Sequence, residues 1–513
     1  MTTDADELMG TTPSGAPDPR RWFALVVIAI AQLMVVLDAS IINIALPHAA
    51  VTLHIEPKNY QWAITAYTLT FGGFLLLGGR IGDYLGRKRA FLIGLLGFAV
   101  ASLLGGLSTT QGMLFGARAL QGVFGALLAP AALSLISVTF TDSKERAKAF
   151  GVYGALSGVG AAIGLIAGGI LTQYFSWRWC MFVNTPMALI AFFLAIPNVR
   201  ESKVAGHPKY DVPGALTATI GMVLIVFGVS QAAANSWGST SAWPYMVIGA
   251  ALLAFFFLLE SKVKSPLLPL RLITDRVRAG SYITQLLVGM GIFGMFLFMT
   301  FYFQNIHGFS AVKSGLCFLP FSLGIIFSAG LTSQLLPKVG PRPLATIGCL
   351  MASGGLLYLS TIQYDSGYVT HVMPAMIVMS LGLGMTFVSL ASTALFNVQP
   401  QDTGAASAVL TTTQQVGGSF GTAIQNTIAV TATTSFLTAY GIAHHMSKSD
   451  VTTAVQNHEH WAVVTSAQAY VHGYDTAFKF GALMLLIGAV TFFALVNVDR
   501  HHLGQHDTVA VGH

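Results

Sequence analysis

The sequence carries little charge. Of its 513 residues only 9% are Asp, Glu, Lys or Arg, whereas a soluble globular chain carries about 25%. Hydrophobic residues make up 54% of the chain, and the mean hydropathy is +0.67. This shortage of charge excludes a water-soluble enzyme or binding domain and places the protein in a membrane.

Cysteine is also scarce. Cys180, Cys317 and Cys349 are scattered in or beside apolar segments, so they form neither a disulfide framework nor the spacing of a metal site. The chain contains no G-x-x-x-x-G-K-[ST] nucleotide motif and no H-E-x-x-H metal motif. We therefore expect no cofactor and no metal.

The net charge of +6 does not indicate nucleic-acid binding, because the basic residues lie in loops between apolar runs. Most of the 26 Lys and Arg residues fall on one side of the predicted membrane, which places both termini in the cytoplasm by the positive-inside rule. The first residues include Asp4, Asp6 and Glu7, unlike the basic start of a signal peptide.

Apolar segments long enough to cross about 30 Å of hydrocarbon recur along the chain. The sequence predicts an all-α polytopic membrane protein with fourteen spans. They lie near residues 22–46, 60–79, 90–107, 112–138, 147–172, 180–197, 212–231, 242–259, 280–304, 313–335, 342–361, 371–396, 404–432 and 475–496.

Spans 7 and 8 have no ionisable residue in their interiors and stand between two blocks of six spans. Paired halves are a recurring transporter architecture. The predicted division is a disordered cytoplasmic tail at 1–19, a six-helix bundle at 20–198, a linker with two inserted helices at 199–279, a second six-helix bundle at 280–496 with an external loop at 433–474, and a cytoplasmic tail at 497–513.

An aspartate stands inside the first apolar run, in "MVVLDASIINIALP" at 34–47. A carboxylate at the centre of a bilayer costs about 2.5–3.5 kcal/mol on insertion scales. By these span boundaries, Asp38 and Arg118 are the ionisable residues well inside the helices. Burial favours a neutral carboxyl and a nearby arginine favours the anion, so Asp38 is the candidate proton site. The alternative is a structural aspartate that bonds Ser40, Asn43 or another helix.

Span 4 contains "RALQGVFGALLAP", in which Arg118, Gln121, Gly122 and Gly125 share one helix face. Because arginine stays charged in almost any environment, Arg118 needs acceptors or water. We expect it to act with Asp38 in proton coupling. The alternative is an arginine that extends to the outer surface.

The segment "GGRIGDYLGRKRAF" follows span 2. Its glycines allow a sharp turn between two helices, and its aspartate can bond nearby arginines or face a helix N-terminus. The alternative is an ordinary charged loop. The candidate gating residues are Gly79, Gly82, Asp83, Gly86, Arg87 and Lys88.

Span 5 repeats glycine every four residues at Gly160, Gly164 and Gly168, with Gly169 beside them. Such a stripe allows two helices to approach closely. We expect it to line the seam between the two halves and to bend or rock there.

The candidate substrate contacts are polar residues along the expected route. Span 9 is crowded with Met and Phe, side chains that adapt to varied apolar molecules, although most of them singly fit a core or lipid-facing role. The histidines of the 433–474 loop are irregularly spaced, which favours a solvated loop. The polar candidates are Asn43, Gln121, Tyr302, Gln304, Gln414 and Gln415.

Taken together, these four ordered motifs resemble the 14-spanner drug:proton antiporter family of the major facilitator superfamily. The resemblance covers nearly the whole chain and implies a major facilitator fold, two six-helix bundles plus two inserted helices. In that family the span-4 arginine is tied to proton coupling, and the span-5 glycines mark exporters. The chain departs from the pattern at Tyr84, where arginine is usual, and at Leu165, where proline is usual.

The expected function is a proton-driven antiporter that exports amphipathic small molecules, drugs or antibiotics, by alternating access. The expected partners are a small-molecule substrate, protons and the lipid bilayer, and a monomer suffices. Compact loops favour a bacterial plasma membrane. The alternatives are a dedicated exporter of one endogenous metabolite or lipid, and a non-transporting receptor or sensor, which the short tails disfavour. An intramembrane enzyme would need several catalytic groups at one depth.

We predict that Asp83→Ala slows the switch between transport states more than it weakens drug binding, because Asp83 is expected to contact the start of span 13 near Thr403 and Gly404. Transport rate and drug affinity measured on the same purified variant would check this. An equal loss of affinity would contradict it.

Overall fold

The described part of the chain is helical throughout and contains no β-strand. The structure is a computed structural model that describes residues 19–140, 142–202, 211–235, 242–263, 266, 268, 270–398, 403–443 and 460–497. The all-α class predicted from the sequence is confirmed. Both predicted tails lie almost entirely outside the described residues.

Short turns connect the helices. They are α1 (Arg21–Thr52), α2 (Trp62–Leu85), α3 (Arg87–Gly106), α4 (Gln111–Thr139), α5 (Ser143–Tyr174), α6 (Trp179–Phe182), α7 (Asn184–Asn198), α8 (Val212–Asn235), α9 (Trp243–Glu260), α10 (Arg271–Thr274), α11 (Arg276–Phe301), α12 (Ala311–Cys317), α13 (Leu319–Val339), α14 (Pro341–Leu359), α15 (Met373–Ala394), α16 (Thr403–Ala443) and α17 (His460–Leu495). A 3₁₀ turn at Pro57–Asn59 precedes α2, and π-helical turns at Tyr302–Ile306 and Tyr368–Val372 extend α11 and begin α15.

Each predicted span overlaps a helix, but not every helix meets the length and hydropathy of a membrane crossing. Among the described residues nine segments do so, and the count of fourteen crossings stays a prediction. The nine are Arg21–Thr52, Arg87–Gly106, Gln111–Thr139, Trp179–Asn198, Trp243–Glu260, Arg276–Ile306, Ala311–Val339, Tyr368–Ala394 and Trp461–Leu495.

The helices pack in two groups with a pair beside them. In the first group α1 packs on α5 and α7, while α4 packs between α2 and α3. In the second group α11 packs on α16 and α17, and α15 packs on α13 and α14. The inserted helix α8 packs on α9 and contacts both α2 and α16, and the Thr219 hydroxyl donates to the Gly73 carbonyl at 2.7 Å. The inserted pair therefore flanks the junction of the two bundles.

The two bundles meet along α2 with α16 and along α5 with α12 and α13. On the first of these seams the hydroxyls of Thr68 and Ser419 lie 2.6 Å apart. The Thr412 hydroxyl donates to the Gly72 carbonyl at 3.3 Å, one turn further along α2. Polar groups thus hydrogen-bond across the junction to the middle of α2.

The connection predicted as a loop at 433–474 is helical over much of its length. Helix α16 continues to Ala443 and α17 begins at His460. At 41 residues, α16 exceeds the span of a bilayer. The end of α16 and the start of α17 pack on each other through aromatic rings. Tyr440 stacks on Trp461, and Phe436 lies against His472. Residues 444–459, with three of the loop histidines, lie outside the described residues.

This longer α17 contains an ionisable residue that the predicted span boundaries left at a helix end. Asp475 was placed at the start of span 14, but it lies well inside α17. Its Oδ1 atom is buried and has no hydrogen-bond partner in the described part of the chain. Asp38 and Arg118 are therefore not the only ionisable residues within a helix.

The glycine stripe of α5 mostly packs inside one bundle. A Cβ on Gly160 would meet Val36 of α1, and one on Gly168 would meet Ile41 of α1. Gly164 lies against Ser40 of the same helix. Only the fourth member of the set, Gly169, faces the other bundle, at the backbone of Ala311 in α12. The prediction that the stripe lines the seam is therefore wrong for three glycines, because the four-residue repeat turns them toward α1.

We predict that Gly164→Ala destabilises the protein. Its Cβ would collide with the Ser40 hydroxyl and lie 2.9 Å from the Leu37 carbonyl oxygen. Overpacking of this kind costs about 1–3 kcal/mol. The thermal unfolding temperature of the purified protein in detergent should fall.

The matched control is Gly116→Ala in α4, where a Cβ would meet nothing within 4 Å. Alanine there should leave the unfolding temperature unchanged or raise it, because it lowers the entropy of the unfolded chain. Equal effects of the two substitutions would contradict the close α1–α5 contact.

Candidate functional site

Asp38 is fully buried in the first bundle and accepts hydrogen bonds from three side chains. Its Oδ2 accepts from Arg118 Nη1 at 2.6 Å. Its Oδ1 accepts from Gln121 Nε2 at 2.9 Å and from Asn184 Nδ2 at 2.7 Å. The structure thus brings together the two candidates for proton coupling. A carboxylate held by donors on both oxygens is arranged as an anion.

Arg118 is 1% exposed, so it does not extend to the outer surface. Its Nε donates to the Ala63 carbonyl at 3.0 Å, and its Nη1 also donates to Gln121 Oε1 at 2.9 Å. The guanidinium lies over the Tyr67 ring, 4.5 Å from the centroid. Burying two ions is costly unless further hydrogen bonds and favourable contacts accompany the pairing, and here both ions have them.

Helix geometry explains why these groups meet. Gln121 follows Arg118 by three residues, so both project from one face of α4. A Cβ on Gly122 would collide with the Tyr67 carbonyl, so glycine allows α4 to approach α2. The Thr70 hydroxyl then donates to the Ala119 carbonyl at 2.8 Å. The close approach brings the first turn of α2 within reach of Arg118.

Two members of this network escaped the sequence analysis. Asn184 is fully buried and begins α7 just after the break that follows α6. Ser102 accepts from Gln121 Nε2 at 2.8 Å. The available signal for Asn184 was an asparagine two residues before a proline in the apolar stretch "FVNTP". Gln121, predicted as a substrate contact, bonds Asp38, Arg118 and Ser102 in this structure, and its part in binding stays a prediction.

The predicted gating motif forms the turn between α2 and α3. Gly79, Gly82 and Asp83 lie in the last turns of α2, which ends at Leu85. Gly86 has φ +102°, a left-handed value that disfavours any side chain, and α3 begins at the next residue. The side chain of Asp83 and its predicted contact with Thr403 and Gly404 lie outside the described residues.

Glu201, which the sequence analysis did not select, binds the start of α3. Its Oε1 accepts from the Lys88 backbone N–H at 3.1 Å and its Oε2 from the Arg89 backbone N–H at 3.3 Å. A carboxylate at a helix N-terminus satisfies free N–H groups and complements the helix dipole. The Lys88 ammonium donates to the Ile196 carbonyl at 2.6 Å. Hydrogen bonds therefore connect the C-terminal end of α7 and the residues just after it to the α2–α3 turn.

A second charged contact joins α1 to α5 outside the apolar part of those helices. Arg21 donates to both carboxylate oxygens of Glu145, at 2.8 and 2.9 Å. The hydrogen bond from Arg21 holds the pKa of Glu145 below its usual range. Any stability that this pair contributes is present above the unfolded pKa of the carboxyl and is lost as the pH falls. The contribution is small because solvent screens the pair.

The remaining substrate candidates are not brought into one site. Asn43 donates to carbonyls of its own helix. Tyr302 is fully buried, and its hydroxyl donates to the Gln363 carbonyl at 2.6 Å. Gln304 Nε2 crosses between the bundles to the Ile44 carbonyl at 3.0 Å.

Two adjacent candidates in α16 lie at helix contacts. Gln414 and Gln415 are half-buried. The carbonyl of Gln414 packs on Gly289 of α11, and the Cβ of Gln415 packs on Gly72 of α2. Their backbone contacts show packing roles, and their part in binding stays a prediction.

A polar contact closes the two bundles at the end where α1 ends and α2 begins, which is the predicted external end. Asn426 Nδ2 donates to Gln61 Oε1, and also to the carbonyls of Pro57 at 3.2 Å and Lys58 at 3.3 Å. Beside it the rings of Tyr60 and Phe301 stack, with centroids 4.4 Å apart. The hydrogen bonds that Asn426 makes to Gln61 and to the two carbonyls before it are called the Gln61–Asn426 contact below. No local sequence pattern indicates this contact, because its members lie on different bundles.

We predict that Asn426→Ala opens this end. The substitution removes the amide donor shared by Gln61, Pro57 and Lys58. Its two N–H groups supply two hydrogen bonds of about 1 kcal/mol each, and their loss favours the state in which the ends separate. Spin labels at Thr52 and Thr434, exposed residues on opposite bundles, should show a longer distance by pulsed electron resonance.

Thr427→Ala is the matched control, because in the described part of the chain the Thr427 hydroxyl bonds within α16 alone, to the Ala423 carbonyl. It should leave the distance distribution unchanged. A distribution that is the same in the native chain and in Asn426→Ala would show that the contact does not hold the bundles together.

Comparison with known proteins gives consistent matches. The family model of the Major Facilitator Superfamily matches residues 28–422. The puromycin resistance protein pur8 of Streptomyces alboniger is 44% identical over 484 residues, covering 94% of this chain and 92% of that protein. The cephamycin export protein CmcT of Amycolatopsis lactamdurans is 35% identical over 415 residues, covering 80% and 85%.

A solved structure shares the fold. The crystal structure of a bacterial homolog of the human lysosomal transporter Spinster, in an inward-facing and unoccupied conformation, aligns with a TM-score of 0.68 at 14% identity. The alignment covers 94% of this chain and 98% of that one.

Proposed function

Because the chain belongs to the Major Facilitator Superfamily, a family of membrane transporters, we propose that it is a proton-driven antiporter that exports amphipathic antibiotics or drugs across a bacterial plasma membrane. The observation that carries the proposal is the buried Asp38–Arg118 pair inside this transporter fold. Both termini are cytoplasmic in the proposal, which follows from the distribution of Lys and Arg.

The relatives support an antibiotic as the exported solute. One relative is named for puromycin resistance and another for cephamycin export. The first matches nearly the full length of both proteins. Puromycin is therefore the first substrate to test. An exporter dedicated to one endogenous metabolite is the second candidate within the same fold.

The contacts between the bundles support alternating access. The Gln61–Asn426 contact, the Tyr60–Phe301 stack and the Gln304 bond to α1 all lie toward the predicted external end. The structure then corresponds to a state that is closed to the exterior. Export requires these contacts to break as the opposite ends of the bundles come together.

The Asp38 carboxylate supplies a means of coupling. In the closed state it is occupied by donors and sealed from water. When the external end opens, a proton from outside competes with Arg118 for the carboxylate, and the neutral acid holds the guanidinium less strongly. One proton crossing about 150 mV releases about 3.5 kcal/mol. This free energy sustains a concentration gradient on the order of a few hundred-fold for a neutral solute.

Helix α2 connects the two events. Gln61 accepts from Asn426 of the other bundle, and the Ala63 carbonyl accepts from Arg118. These residues lie within one helical turn. A movement of the first turn of α2, when the bundles separate, therefore shifts an acceptor of Arg118.

We predict that Asp38→Asn abolishes gradient-driven transport. An amide cannot exchange a proton in this pH range, so the proton gradient has no site to act on. In proteoliposomes with an imposed pH gradient, the native chain should accumulate puromycin or tetraphenylphosphonium, and the variant should match protein-free vesicles.

Asp365→Asn is the control acid, since Asp365 is exposed in the turn after α14. It should transport as the native chain does. Undiminished pumping by Asp38→Asn would assign the coupling to another residue. Absence of transport by the native chain with both solutes would remove the multidrug proposal and favour a dedicated exporter or a non-transporting receptor.

A further inference from the structure

We propose that Asn184 is a positioning residue that keeps Asp38 hydrogen-bonded in both of its protonation states, its amide donating to the carboxylate and turning over to accept from the protonated acid. The inference rests on the proposed function in one respect, namely that Asp38 takes up a proton.

The two oxygens of Asp38 are not equivalent. Oδ2 lies 2.6 Å from Arg118 Nη1, a group that can only donate. A proton on Oδ2 would therefore point at another donor. Oδ1 faces two amide groups instead, those of Gln121 and Asn184. Since an amide carries an acceptor as well as a donor, Oδ1 is the oxygen that can carry the proton.

Gln121 cannot reverse its amide without loss. Its Nε2 donates to Asp38 and to Ser102, and its Oε1 accepts from Arg118 Nη1. Turning it over would place an NH₂ group against the guanidinium and the amide oxygen against the anion. Its orientation is therefore fixed by three partners.

Asn184 is free of that constraint. Its Nδ2 donates to Asp38 Oδ1, while its own Oδ1 is buried and has no hydrogen-bond partner within the described residues. Turning the amide exchanges two groups of nearly the same size, so it needs no additional space in this fully buried site. In either orientation one end of the amide bonds Asp38 and the other end is unpartnered.

A hydronium ion from the opened side gives its proton to Asp38 Oδ1, forming one O–H bond and leaving water. Asn184 then presents its Oδ1 as the acceptor of that O–H group. When the proton leaves to water on the other side, the amide turns back and Nδ2 again donates. No other covalent bond changes.

Infrared difference spectroscopy during a pH titration tests this on the full-length protein in proteoliposomes. The C=O band of protonated Asp38 is assigned by its absence in Asp38→Asn. In Asn184→Ala both protonation states of Asp38 lose one hydrogen bond, so the two losses largely offset each other and the midpoint should move little. The band should move to higher frequency, because the protonated acid has lost its acceptor.

Asn184→Ser and Asn198→Ala complete the experiment. A serine hydroxyl can both donate and accept, so Asn184→Ser should recover part of the native band position, and it keeps the test available if the alanine variant does not fold. Asn198 is half-buried at the other end of the same helix, and within the described residues its amide bonds the Leu194 carbonyl alone, so its replacement should change neither the midpoint nor the band.

The outcomes separate this inference from the function. A native band position in both Asn184 variants would overturn the role of Asn184 and leave the antiporter proposal intact. A shifted midpoint with an unchanged band would show that Asn184 donates to the Asp38 anion but never accepts from the protonated acid. That result would also overturn the inference. If the native chain titrates at Asp38 but transports neither puromycin nor tetraphenylphosphonium, the proposed function fails while the inference about Asn184 stands.

Discussion

The buried ion pair between Asp38 and Arg118 constrains the whole first bundle. Two ions removed from water are tolerated only when their remaining hydrogen-bonding groups are satisfied. The Ala63 carbonyl on α2, the Gln121 amide on α4 and the Asn184 amide on α7 supply those partners. Four helices must therefore hold one relative rotation and depth, and the glycines at their crossings allow the approach that this requires.

The same pair connects the interior of one bundle to its junction with the other. Gln61, the residue just before α2, accepts from Asn426 across the junction, and the Ala63 carbonyl in the first turn of α2 accepts from Arg118. A rigid helix transmits displacement along its length. The position of the second bundle and the environment of the carboxylate are thus linked through ordinary hydrogen bonds, without a separate regulatory element.

Several sequence predictions were incomplete because periodicity describes one helix at a time. The α5 glycines indicated close packing, but nothing in their spacing shows whether the neighbour is α1 or the opposite bundle. Gln121 and Tyr302 stood out as polar residues in apolar segments, and both proved to bond protein partners. The Thr-rich end of α16 lies beyond the predicted span, yet it stays helical where its aromatic rings contact α17.

The sequence by itself determined the class of the protein and the location of its costly charges. Low charge, long apolar runs and the isolated Asp38 and Arg118 follow from composition and from the solvation energy of single side chains, which need no knowledge of neighbours. The tertiary structure decided which groups meet. Asp38 and Asn184 are 146 positions apart, and their contact depends on how α1 and α7 are rotated and set in depth. That arrangement is fixed by packing across many residues at once, which no local pattern encodes.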